Sequence, residues 1–119
     1  MVRPQSAVEI AVGKVQLAGE LMLPRAATGL VVFAHGSGSS RHSPRNVLVA
    51  RMLSDAGIGT LLFDLLTPSE DREYSTRFDI PLLGVRLKAA TEWLWRAGGV
   101  PDVPTGFFGA STGAAAALV

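Results

Sequence analysis

The run Leu30–Ala34 within "GLVVFAHG" is apolar without a break, and two later stretches, "IGTLLFDLL" from Ile58 and "TGFFG" from Thr105, repeat the pattern. A strand with one face in water alternates apolar and polar residues, whereas a strand covered on both faces has no side left for polar ones. Runs of this kind belong to a parallel sheet with helices on both faces. The segments between them carry helical spacing. Strand, helix, strand, helix, strand and the start of another helix is the order of an α/β fold.

The helical segments have readable ends. "SPRNVLVARMLSDAG" offers Ser43 as N-cap, Pro44 in the first turn and Gly57 after the last. Leu48 and Met52, with Val49, Leu53 and Ala56, are expected to form its buried stripe. Thr67–Arg77 is polar and charged and reads as a loop. A longer helix is expected from Asp79 to about Ala97, with Ile80, Leu83, Leu87, Ala90 and Leu94 at helical spacing. Glu92 and Arg96 form an i,i+4 pair on it, and Gly98-Gly99 end it. Ahead of all this, Val8–Val12 and Val15–Leu23 alternate about Gly13-Lys14. That pattern predicts an antiparallel hairpin near a sheet edge, closed by Pro24.

Composition narrows the function. The 119 residues have room for one domain, and 48% apolar against 18% charged residues argues against disorder. A formal net charge of +1 gives no footprint for nucleic acid. Without cysteine there is no disulfide, thiolate nucleophile or thiolate metal site, and no cofactor or metal is expected. The start "MVRPQSAVEIAV" does not read as a secretion signal, and no apolar stretch approaches the roughly 20 residues of a membrane span. These readings lead to a cytoplasmic protein acting on a small molecule, with no nucleic-acid or membrane partner. The helix expected at Ala114–Val119 has neither a C-cap nor a charged last turn. The expectation is therefore that residues 1–119 are the N-terminal portion of a single domain, whose open sheet edge self-associates or leaves the chain marginally stable.

The chemistry gathers at "FFGASTGAAAALV". Gly109-Ala110-Ser111-Thr112-Gly113 fits G-x-S-x-G, a weak pattern by itself. Here it joins a buried strand to a helix, where a nucleophile elbow lies. Gly109 and Gly113 let strand and helix approach closely and leave the Ser111 hydroxyl exposed as nucleophile. The Thr112 amide, at a helix N-terminus, can donate to a developing oxyanion. A glycine-rich turn with an incidental serine is the plainer alternative.

A second loop, "HGSGSSRHSPRN", follows the Leu30–Ala34 strand, and its Ser37 amide is the candidate for the other oxyanion donor. His35 precedes that turn and is expected to brace its own loop rather than act as the base. His35, Arg41 and His42 are weak candidates for touching substrate, a solvated helix start being the favoured reading of Arg41 and His42. Asp64 stands at the carboxyl end of its strand, where a structural hydrogen-bonding role is favoured.

Taken in order, "HGSGSSRHSPRN", "TLLFDLLTPSEDRE", "RFDIPLLGVRL" and "FFGASTGAAAAL" resemble the dienelactone-hydrolase-related branch of the α/β-hydrolase superfamily. The resemblance runs from Leu30 to Val119, and the leading hairpin fits it too. It implies a mostly parallel sheet with helices on both faces, truncated here after the nucleophile-elbow helix. It further implies a serine hydrolase for a small ester, thioester or lactone, with Ser111 as nucleophile and the Ser37 and Thr112 amides as oxyanion hole. Members resembling dienelactone hydrolase itself carry cysteine at the nucleophile; here it is serine, so that enzyme's own lactone substrate does not carry over. The family places its acid and histidine after the nucleophile, and neither follows Ser111 in these residues, so the chain alone is expected to be inactive. Some relatives are fused to a phosphoribosyltransferase domain.

Two other readings compete. Strand, "GSGSSR", helix, strand and Asp64 partly match a Rossmann-like dinucleotide-binding domain, although Arg41 occupies the third glycine position. A pseudoenzyme, or a subunit completed by another chain, is the non-catalytic alternative.

Overall fold

Alternation about a glycine turn yields the expected hairpin. The computed structural model describes residues 5–35, 43–73, 75–76, 79–97 and 99–109. Strands β1 (Gln5–Val12) and β2 (Val15–Met22) pair antiparallel, with Val12 opposite Val15 across the turn. Gly13 takes φ +58°, as the first position of a type II′ turn requires. On its other side β2 pairs antiparallel with β4 (Ile58–Phe63), Gly19 facing Phe63. A Cβ at Gly19 would stand 2.9 Å from that of Phe63, so the close approach of the two strands depends on glycine there. Strand β3 (Gly29–Ala34) runs parallel to β4, and β5 (Thr105–Gly109) runs parallel to β3 on its far side. The sheet order is β1-β2-β4-β3-β5.

Both faces of β3 and β4 are covered, which is why their runs are apolar apart from glycine and the buried Thr60. On one face Leu30, Val32 and Ala34 of β3 and Leu61 and Phe63 of β4 pack with Leu83, Leu87, Ala90 and Leu94 of helix α3 (Ile80–Ala97). On the other, Phe33 and Leu62 meet Ala50 of helix α1 (Pro44–Asp55). Helix α1 begins at Pro44 with Ser43 in the N-cap position, as read from the sequence, although the Ser43 side chain makes no capping hydrogen bond, and Gly57 follows its end at φ +84°. Asp79 caps α3 by accepting the Leu82 amide at 3.1 Å.

Four local expectations are corrected. The buried stripe of α1 is Asn46, Ala50 and Ser54, while Leu48 and Met52 are 59% and 63% exposed. At 100° per residue Leu48 and Met52 lie about 160° around the helix from Ala50, so both stripes have helical spacing. Close approach to the sheet selects the side with small residues. Val47, Val49 and Leu53 fill the flanks. The stretch expected as a loop contains a short helix, α2 (Pro68–Asp71). Strand β5 is not fully buried: it pairs only with β3 among the described strands, and Phe107 is 49% exposed. Arg96 reaches the Glu92 main-chain carbonyl, its Nε donating at 3.4 Å, instead of the carboxylate.

The Rossmann-like alternative fails on connectivity. In the classic dinucleotide-binding order, three successive parallel strands line up 3-2-1. Here β3, β4 and β5 line up 4-3-5, the third strand crossing to the opposite side of the first.

The corrected α1 stripe is open to measurement. Ala50→Leu is expected to destabilise the protein by about 1–3 kcal/mol through overpacking against Phe33 and Leu62. Met52→Ala should stay within about 0.5 kcal/mol. Urea unfolding of the two variants ranks them, and the reverse order would restore the stripe read from sequence.

Candidate active site

The carboxyl ends of β3 and β5 lie side by side. Their parallel register pairs Val32 with Phe107, Phe33 with Phe108 and Ala34 with Gly109. The Phe33 and Phe108 rings pack at 5.1 Å between centroids, tying the two strand ends together. Gly109 is the first residue of G-x-S-x-G, and Ala34 immediately precedes the loop that opens with His35. Both motif segments therefore leave the sheet from directly opposed residues of neighbouring strands. Here the strand order 4-3-5 also reverses the chain order, the kind of position where open α/β sheets hold their ligands. Ser37, Arg41, His42, Ser111, Thr112 and Gly113 lie outside the described residues, while His35 and Gly109 lie within them.

His35 is buried, and its Nε2 accepts a hydrogen bond from the Leu65 amide at 2.9 Å. An imidazole nitrogen that accepts a hydrogen bond does so through its ring lone pair. The lone pair a general base would use at Nε2 is already engaged. His35 instead ties the end of β3 to the loop after β4.

That loop is held from below by residues which sequence reasoning did not single out. Thr67 and Glu70 form a capping box on α2: the Glu70 amide donates to Thr67 Oγ1 at 3.2 Å, and the Thr67 amide donates to Glu70 Oε1 at 2.9 Å. The signal was present as Thr-Pro-x-Glu, a hydroxyl residue three before a glutamate with proline at the first helical position. Arg86 of α3, only 7% exposed at its side chain, grips the same glutamate with both arms of its guanidinium. Its Nη1 donates to Oε1 at 2.8 Å and its Nη2 to Oε2 at 2.7 Å. Nη1 also donates to the Leu65 carbonyl at 3.1 Å. Arg86 sits three residues after Leu83 and four before Ala90, on the core face of the helix. A charge there needs a partner, and that requirement was readable.

The hydrogen-bonded Arg86 guanidinium holds the Glu70 carboxyl down at about 2, the Thr67 amide adding to the effect against the opposing cost of burial. Among the described residues no group of three His, Asp or Glu side chains could hold a metal ion. No helix among them is long and apolar enough to cross a membrane. A shallow cleft lined by Trp95, Val100, Pro101, Asp102, Val103 and Thr105 opens at the amino end of β5, away from Gly109.

Comparison with known proteins adds to this geometry. The chain is 52% identical to dienelactone hydrolase from Anabaena variabilis ATCC 29413, whose crystal structure matches with a TM-score of 0.93. The match covers 98% of this chain and 56% of that one. An esterase of Pyrococcus furiosus matches with a TM-score of 0.76 at 28% identity, over 98% of this chain and 43% of its own. Two curated proteins of Mycobacterium tuberculosis, strains CDC 1551 / Oshkosh and ATCC 25618 / H37Rv, are each 55% identical over 112 residues. Both bear the name "Putative phosphoribosyl transferase". This chain spans a quarter of their length, the match taking in 94% of its own. No family model matches the chain.

The depressed Glu70 carboxyl predicts an acid response. A carboxylate whose folded pKa is lowered stabilises the fold fully above its unfolded value and loses that contribution as pH falls through the folded one. For Glu70 the window runs from about 4.5 down to about 2. Urea unfolding across that window should show Glu70→Gln less stable than the parent at neutral pH, with the difference shrinking on acidification. A difference independent of pH would place the stabilisation elsewhere.

Proposed function

We propose, on the premise that this chain has the α/β-hydrolase fold of the dienelactone-hydrolase-related branch, that it carries the nucleophile half of a serine hydrolase. The observation that carries the reading is the Ala34–Gly109 pairing, because it starts the two motif segments from opposed residues of neighbouring strands. In this reading Ser111 Oγ attacks the carbonyl carbon of a small ester, thioester or lactone. The carbonyl oxygen gains charge and accepts hydrogen bonds from the Ser37 and Thr112 amides. A histidine takes the serine proton and passes it to the leaving group, and water then hydrolyses the acyl-serine.

His35 is a poor choice for that histidine, since its Nε2 already accepts from Leu65. The proposed base and its acid partner come from polypeptide outside these 119 residues. The chain spans 56% of the dienelactone hydrolase it matches, which leaves room for them. The same reading accommodates the name of the mycobacterial relatives. Phosphoribosyl transfer is assigned to the part of those proteins which this chain does not span, and ester chemistry to the quarter it does.

The test compares the 119-residue chain, the whole gene product carrying it and a Ser111→Ala variant of that product, using a chromogenic short-chain ester and a fluorophosphonate probe. The whole product should turn over and label at Ser111. Ser111→Ala should neither label nor turn over above a residual rate. Removing triad members leaves roughly 10³–10⁴-fold catalysis over water in a preformed site, and the 119 residues alone are expected to fall at or below that level. Full activity in Ser111→Ala would remove the nucleophile, and parental activity in the 119 residues would bring the base back within them.

The side of β5 that has no partner among the described strands supports one more proposal. Unpaired strand edges recruit other strands, and the 119-residue chain alone is expected to pair there with a second copy. Sedimentation should show concentration-dependent association. A clean monomer with cooperative unfolding at high temperature would contradict it.

A further inference from the structure

We propose that Arg86 is a positioning residue for the oxyanion loop, acting through the Leu65 peptide and the His35 ring; the catalytic part of this inference rests on the serine-hydrolase reading above. Leu65 is wholly buried, and buried main-chain groups must be paired. Its two polar groups are held by side chains from two different elements. The carbonyl accepts from Arg86 Nη1 of α3 at 3.1 Å, and the amide donates to Nε2 of His35, the residue after β3, at 2.9 Å. Arg86 is fixed in turn by the two-pronged grip on Glu70, whose carboxylate also closes the α2 capping box.

The geometry suits aiming better than it suits stability. A buried ion pair commonly contributes no more than apolar residues of the same volume, because desolvation offsets the attraction. Arg86 stands among Leu83, Leu87, Ala90 and Leu94, where an apolar side chain would pack without that penalty. An apolar residue there could not hold the Leu65 carbonyl. A displaced Leu65 peptide shifts the donor to which the His35 ring is tethered. The ring is joined through one main-chain residue, Gly36, to Ser37, whose amide is the proposed oxyanion donor. Displacements on the order of 1 Å at a catalytic group can cost about 100-fold in rate.

A lysine at position 86 could serve Leu65 or Glu70 as a point charge but could not reproduce the planar fork. Three variants of the whole gene product therefore carry the test, Arg86→Lys, Arg86→Met and Glu70→Gln, with the exposed α3 residue Lys88→Met as surface control. Each is measured at a temperature where circular dichroism shows it folded. The readouts are kcat and KM for a short-chain ester, the fluorophosphonate labelling rate at Ser111, and the 15N signals of the His35 ring. Arg86→Met is expected to lower kcat and labelling by about 10- to 100-fold per folded molecule. KM should change little, and the His35 Nε2 resonance should move. Arg86→Lys and Glu70→Gln should fall between Arg86→Met and the parent, and they carry the test if Arg86→Met does not fold. Parental kcat, labelling and His35 signals in folded variants, with only the melting temperature lowered, would make Arg86 purely structural and overturn the proposal. If the parent itself does not label at Ser111, the hydrolase reading falls separately. The 15N arm then decides the coupling on its own: a shifted His35 resonance supports it, and an unshifted one overturns it.

Discussion

Strand β3 carries two parallel ladders at once, to β4 on one side and to β5 on the other, and it is apolar toward both helical layers. A strand in that position cannot slide, because a one-residue slip would exchange Phe33 with Val32 across the sheet. Its carboxyl end is therefore a fixed point. From there the chain continues into His35 and the glycine-serine loop, and beside it β5 ends at Gly109 and enters G-x-S-x-G. The β4 end is brought in by the Leu65–His35 hydrogen bond. Ala34 and Gly109, distant in sequence, stand side by side because a central strand holds its register.

This arrangement reconciles names that point in different directions. The dienelactone hydrolase and the "Putative phosphoribosyl transferase" relatives are both more than half identical to this chain, yet the chain spans very different shares of them. The match takes in 98% of this chain and 56% of the dienelactone hydrolase, but only a quarter of the mycobacterial proteins.

The layered architecture was legible because burial on two faces leaves a plain mark on a strand: apolar residues at both parities, as in Leu30–Ala34. The hairpin was legible because a period of two and a glycine turn are both local. What escaped was decided by packing. Leu48 and Met52 have the same helical spacing as Ala50 and Ser54, and only the approach of α1 to the sheet selects between them. The capping box at Thr67 and Glu70 was readable but was submerged in a polar stretch. Arg86 was visible as a charge on a core face, while its partners, 16 and 21 residues away along the chain, depended on the tertiary fold. In the candidate site, the glycines and the serine were readable as a motif. The opposed placement of Ala34 and Gly109 required the strand order.

The proposed reaction passes through an acyl group on Ser111, and the most direct test is to trap that group. The whole gene product, mixed with excess short-chain ester and quenched in acid during the first turnovers, is digested with trypsin and mapped by mass spectrometry. The account predicts the acyl mass on the peptide that begins after Arg96, with fragmentation placing it at Ser111. Turnover with the acyl group on a different residue would contradict it, as would rapid turnover without acylation of that peptide even when deacylation is slowed.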